Sequence, residues 1–193
     1  MNSMDFSQLE SIIESQLSVK RMEHTRGVIS EAKKLAERYG CDTSKAEFAA
    51  LCHDMARCIS ESHLKAYLQE FSLDSGNTHS LELAHGKIAA ELLKRDWALD
   101  DMDIINAISF HTTGRQGMSM LEKIIYLADA IEPGRKYPGV ERIRELAYQD
   151  LDRACVESMK QTIEYINGKG REIDDNTIKA IEDLLLKERG SDE

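Results

Sequence analysis

At 193 residues, with 35 acidic against 25 basic side chains and a formal charge of −10, the chain is long enough for one substantial hydrophobic core and too acidic for nucleic acid to be its main partner. Two prolines, eleven glycines and 31% charged residues leave few breaks in a pattern that alternates charge with Leu, Ile and Ala at helical spacing, which predicts one all-α domain over 1–193. There is neither a run of 18 apolar residues nor a charged-then-apolar leader, so no membrane span or signal peptide is expected and the cytoplasm is the expected location.

Leu9, Ile12, Ile13 and Leu17 predict an amphipathic first helix within 1–19, starting near Asp5 or Ser7. From about Lys20 to Tyr39, Val28, Ala32, Leu35 and Ala36 share one helical face that ends at Gly40, and His24 lies one turn before Val28 on that face. A capping box from Ser44 to Glu47 is expected to start the next helix, whose apolar run Phe48-Ala49-Ala50-Leu51-Cys52 leads straight into His53-Asp54. Ser60 caps a short helix through Leu64, Tyr67, Leu68 and Phe71, and Asp74-Ser75-Gly76-Asn77 has turn chemistry. His63 and His79, in polar settings, are expected at the surface.

Ala84, His85, Ile88, Ala89, Leu92 and Leu93 form a second stripe, with Gly86 leaving room beside the histidine. Asp100 or Asp101 starts a helix through Ile104, Ile105 and Ile108, with His111 at its end and the polar Thr112-Thr113-Gly114-Arg115 directly after it. Leu121, Ile124, Ile125 and Ala128 carry Asp129 inward, and both prolines fall in the basic loop Glu132 to Gly139. Three further helices, around Ile143 and Leu146, from Leu151 to Ile166 and from Ile178 to Leu185, carry no identifiable chemistry, and Glu188 to Glu193 are expected to fray.

A single buried histidine is usually a core imidazole hydrogen-bonded to a carbonyl. His24, His53, His85 and His111 with Asp54 and Asp129 are a different matter, because groups of this kind are seldom buried without partners, and together they have the composition of a dinuclear nitrogen/oxygen metal site. Cys41, Cys52, Cys58 and Cys155 lack paired C-x-x-C spacing and are expected to be reduced thiols, which disfavours a cysteine zinc site.

His24, the adjacent His53-Asp54 and the distal Asp129 resemble, in order, the four-ligand signature of the HD-domain metal-dependent phosphohydrolases. Leu83-Ala84-His85-Gly86, His111-Thr112-Thr113-Gly114-Arg115 and Leu127-Ala128-Asp129-Ala130-Ile131-Glu132-Pro133-Gly134-Arg135 are similar to the YqeK-type branch, whose members are symmetrical diadenosine tetraphosphate hydrolases with a di-iron centre. The likeness covers about Lys20 to Ala154, which it marks as an HD core flanked by the first helix and by C-terminal helices over about 155–188. Arg57 stands where the branch usually has lysine, and Lys87-Ile88-Ala89 replaces Pro-Val-Gly.

The resemblance implies a helical bundle with a dinuclear centre in its core: His24, His53, Asp54 and Asp129 on one ion, His85 and His111 on the second, and Asp54 bridging both. It implies two divalent or trivalent transition-metal ions, iron first, with manganese, zinc or nickel compatible with the same donors. A metal-activated hydroxide would then split diadenosine tetraphosphate into two ADP, His53 and Asp54 being the catalytic pair. Arg26, Arg57, Arg115 and Arg135 follow the expected ligands closely and suit forked phosphate contacts, and Thr112, Thr113, Lys136 and Tyr137 are candidates for holding phosphate or nucleotide. The expected partner is a small-molecule nucleotide, with no nucleic acid or membrane, and a homodimer is compatible. Another HD-type nucleotide phosphohydrolase, acting on a nucleoside monophosphate, a deoxynucleoside triphosphate or a guanosine alarmone, and a non-catalytic nucleotide sensor are the competing readings.

Overall fold

The computed structural model describes residues 6–73 and 81–190, and the turn at Asp74 to Asn77, His79 and a helix start at Asp5 lie outside them. The described residues form ten helices and no strand: α1 (Phe6–Gln16), α2 (Val19–Tyr39), α3 (Thr43–Cys52), α4 (Glu61–Glu70), α5 (Leu81–Trp97), α6 (Met102–Ser109), α7 (Met120–Ile131), α8 (Val140–Ala147), α9 (Leu151–Gly168) and α10 (Asp175–Gly190). α10 continues past Glu188, where fraying is expected, to Gly190, and residues 191–193 lie outside the described range.

Local chemistry sets most of the boundaries. Ser18 accepts the Arg21 N–H to open α2, and Gly40 closes it in the left-handed region at φ 66°, a conformation that favours glycine. Ser60 opens α4 and Asp101 opens α6 as expected. At α3 the capping box from Ser44 to Glu47 does not form. Asp42 sits one residue ahead of the helix and accepts from Ser44 N and Lys45 N, while Glu47 pairs with Lys33 of α2 at 3.0 Å. A capping box does occur at the start of α7, between Ser119 and Glu122.

The buried stripes then dictate the packing. α2 lies against α3 and α7, α6 touches α3, α5 and α7, and α9 joins α7 to α8 and α10. Ala32, Ala36, Ala46, Ala49 and Ala50 are fully buried, and their short side chains bring α2 and α3 close together. Leu35, Leu51, Ile88, Leu93, Ile108, Leu121, Ile124, Ile125 and Leu127 fill the centre, each worth about 1.5–3 kcal/mol of burial. No described helix is long and apolar enough to cross a membrane, and all four cysteines are free thiols.

Candidate metal centre

The elements that meet in this core carry the polar residues inward. His24 is on the α2 face that meets α7. α3 ends at Cys52, so His53 is its C-cap and Asp54 stands in the turn that follows. Two of the rings are fixed by local bonds: His53 Nδ1 lies 2.7 Å from Ala50 O and His111 Nδ1 2.8 Å from Ile108 O. A carbonyl can only accept, so each ring donates from Nδ1 and leaves its Nε2 lone pair available. Gly86 allows α5 to come up against this turn, since a Cβ there would stand 2.7 Å from Ile108 O and 3.0 Å from His111 Nδ1.

Asp54 is the hub. Its Oδ2 lies 3.5 Å from His53 Nε2 and 3.8 Å from His24 Nε2, and its Oδ1 lies 3.0 Å from His85 Nε2 and 4.0 Å from His111 Nε2. Asp129 joins on the Oδ2 side, with Oδ1 3.0 Å from His24 Nε2. All six residues read from the sequence therefore meet in one place, and the two oxygens of one carboxylate divide them into two groups.

Burial opposes charge on Asp54, but the neighbouring His53, His85 and His111 outweigh it and hold the carboxyl well below its usual range. Burial alone would lower His53, yet Asp54 beside it raises it. Burial, with His85 and His53 close by, pushes His111 down to about 3, so its imidazole is neutral at pH 7. Asp129 is held down, against its own desolvation, by His24 and Arg135.

The donors fit a metal. His53 Nε2 is buried with no hydrogen-bond partner, an arrangement that costs free energy unless a cation takes the lone pair. Groups His24–His53–Asp129 and His53–Asp54–His111 each offer one ligand atom apiece, all within 4.8 Å of one another. Imidazole nitrogen with carboxylate oxygen and no sulfur suits iron, manganese, zinc or nickel.

The residues expected to grip a substrate are distributed unevenly. Thr112, Arg135 and Tyr137 line a cavity of about 650 Å³ that reaches His111 and Asp129. Arg135 donates to the Asp129 carboxylate and carbonyl, and Tyr137 Oη to Ala130 O. Arg57 Nη1 lies 3.3 Å from His85 Nδ1, and Lys136 is exposed on the loop. By contrast, Arg26 pairs with Glu14 of α1, Arg115 is held by Glu122 at 2.8 Å, and buried Thr113 donates to Gly114 O.

Four features escape a reading of the sequence. Arg21 reaches Asp54 Oδ2 at 2.7 Å, and its only local signal is its place three residues before His24. Glu132 lies against His24, 108 positions away in the chain. The far wall of the cavity is α9, through Ser158, Gln161, Thr162 and Tyr165, on a helix with no chemical signature of its own. Arg144 of α8 ties down the loop between Asp129 and Tyr137, donating to the carbonyls of Ile131, Glu132 and Arg135.

The model of the HD domain family matches residues 21–134. The chain is similar to a protein of Bacillus subtilis (strain 168) called bis(5'-nucleosyl)-tetraphosphatase, symmetrical, at 40% identity over 83% of this chain and 87% of that one. It is also similar to a protein of the same name from Halalkalibacterium halodurans, at 38% identity over 92% and 96%. A crystal structure of a predicted HD superfamily hydrolase involved in NAD metabolism from Clostridium acetobutylicum superposes with a TM-score of 0.90 at 37% identity, over 95% of this chain and 98% of that one.

Proposed function

This chain belongs to the HD domain family, and from that premise we propose that it is a metal-dependent phosphohydrolase that cuts diadenosine tetraphosphate at its centre to give two ADP. The observation that carries the reading is the division of labour at Asp54, whose Oδ2 faces His24 and His53 while its Oδ1 faces His85 and His111. His24, His53, Asp54 and Asp129 would hold one transition-metal ion, and His85 and His111, with Asp54 shared, a second. Iron is the first candidate, with manganese, zinc and nickel behind it. When bound, such a pair supplies Lewis acidity and hydroxide at neutral pH, so no side chain is needed as the general base.

The protein's own groups do the rest. His53 and His111, tethered by Ala50 and Ile108, keep their lone pairs aimed inward without rearrangement. Arg135, at the cavity edge, sets positive charge beside Asp129 where a polyphosphate enters, offsetting the repulsion expected from an acidic chain. Arg57 offers a second guanidinium on the His85 side. Thr112 and Tyr137 flank the path into the cavity, which receives one nucleoside diphosphate half. A water oxygen attacks the terminal phosphorus of that half. The new P–O bond replaces the bridging one, and the other ADP departs. Arg26, Arg115 and Thr113, engaged by Glu14, Glu122 and Gly114, act as supports for this frame.

The test is product analysis of the iron- or manganese-loaded protein. Diadenosine tetraphosphate should give ADP alone. Equal ATP and AMP, or faster turnover of a mononucleotide or of NAD, would replace this reading with another HD-type hydrolysis.

A further inference from the structure

Glu132 is 5% exposed, yet its carboxylate is not one of the six groups around Asp54. Its Oε1 lies 3.1 Å from His24 Nδ1, and its Oε2 accepts the N–H of Gly134. The surroundings are shaped to admit it. A Cβ on Gly27 would stand 2.6 Å from Glu132 Oε2, and one on Gly134 2.9 Å from the same atom, so two glycines from separate elements form the slot that the carboxylate occupies. The slot is held from outside, because Arg144 donates to the Glu132 carbonyl and to the carbonyls of Ile131 and Arg135.

The other rings make the contrast. His53 and His111 turn Nδ1 toward neutral main-chain carbonyls. His24 turns Nδ1 toward a buried carboxylate. An anionic acceptor fixes the proton on Nδ1 more firmly than a carbonyl does and makes the opposite nitrogen a stronger donor to a cation. Gly27, three residues after His24 on the same helix, is then part of the His24 apparatus.

We propose that Glu132 is a positioning residue: it accepts the hydrogen bond donated by His24 Nδ1–H, aims His24 Nε2 at the ion shared with Asp129 and Asp54, and makes that ion the more tightly held of the two. The inference rests on the reading of this cluster as a dinuclear centre.

The test uses the full chain stripped of metal and titrated with manganese alone, by calorimetry and electron paramagnetic resonance, in wild type, Glu132→Gln, Glu132→Ala and Gly27→Ala. The ¹⁵N resonances of His24 are read in the same apo samples. Wild type should bind two ions unequally. Glu132→Ala should weaken the tighter site by about 10- to 100-fold, leave the other unchanged and release His24 from its Nδ1–H tautomer. Glu132→Gln, which retains an acceptor oxygen without the charge, should fall between, and Gly27→Ala should weaken the same site by crowding Oε2. A purely structural Glu132 would lower the melting temperature and leave manganese affinity and the His24 tautomer as in wild type, which overturns the proposal. Should Glu132→Ala fail to fold, unchanged binding in both Glu132→Gln and Gly27→Ala overturns it equally. A wild-type protein that binds no manganese would bring down the metal-centre reading as well, so the two failures are distinguishable.

Discussion

The stretch from α2 to α7 and the stretch from α8 to α10 have the same kind of helix and bury the same kind of stripe, but they contribute to the site in different ways. The first brings six ionisable side chains to one point, from helix faces and from the ends of α3 and α6. The second contributes a wall and a clamp: α9 closes the cavity, and Arg144 of α8 gathers the carbonyls of the loop after α7. The difference teaches that chemistry is concentrated where inward helix faces and helix ends converge in the core, and that containment is supplied by helices with no conspicuous residues.

The largest expected effect falls on the first region. Asp54→Ala should abolish hydrolysis and metal content together while leaving the helical circular dichroism intact, because it removes the one group common to both sets of donors. A variant that kept stoichiometric metal and normal turnover would erase the distinction between hub and wall.

A middle-sized effect tests the second region. If α9 only contains the substrate, Gln161→Ala and Tyr165→Ala should each raise KM roughly tenfold, the equivalent of about 1.4 kcal/mol, with kcat little changed. Measured steady-state kinetics on diadenosine tetraphosphate decide it. A fall in kcat at constant KM would move α9 from wall to machinery.

These two outcomes bear on what was legible in the chain. The stripes that carry His24, His85 and Asp129 announce burial through their own spacing, and Gly40, Ser60 and Asp101 mark ends by local chemistry, so helix identity and the six ligand candidates follow from short-range pattern. Contacts between distant elements have no such signal. The approach of Glu132 to His24 spans 108 positions, Arg115 and Arg26 spend their charge on Glu122 and Glu14, and Gln161 comes to line the same cavity as His111 through the packing of α9 on α7. Even at α3 the cap is Asp42 rather than Ser44, because the Asp42 carboxylate accepts from the free N–H groups of Ser44 and Lys45.

The smallest effect separates support from chemistry within the first region. Asp101 caps α6 and pairs with Lys45 at 2.7 Å, and Asp101→Ala should cost about 1 kcal/mol of stability without altering product ratios or metal content. The hydrogen bond from Lys45 holds the Asp101 carboxyl below its ordinary value, against some desolvation. Its contribution is therefore fully present above the unfolded carboxylate range and lost as pH falls through the lower folded value. Chemical denaturation at pH 7 and at pH 3 should show the difference between wild type and variant shrink in acid.

Arg144 has one more consequence. It holds the stretch from Ile131 to Arg135 by main-chain oxygens, which every residue type possesses, so this one of the loop's ties does not depend on the side chains at Ile131, Glu132 or Arg135. Pro138, which lines the cavity, and exposed Lys136 lie just beyond the held carbonyls and can then be exchanged while those bonds stay in place. That makes the rim the adaptable part of the molecule, where a preference for one nucleotide over another can drift without disturbing the ionisable cluster beneath it.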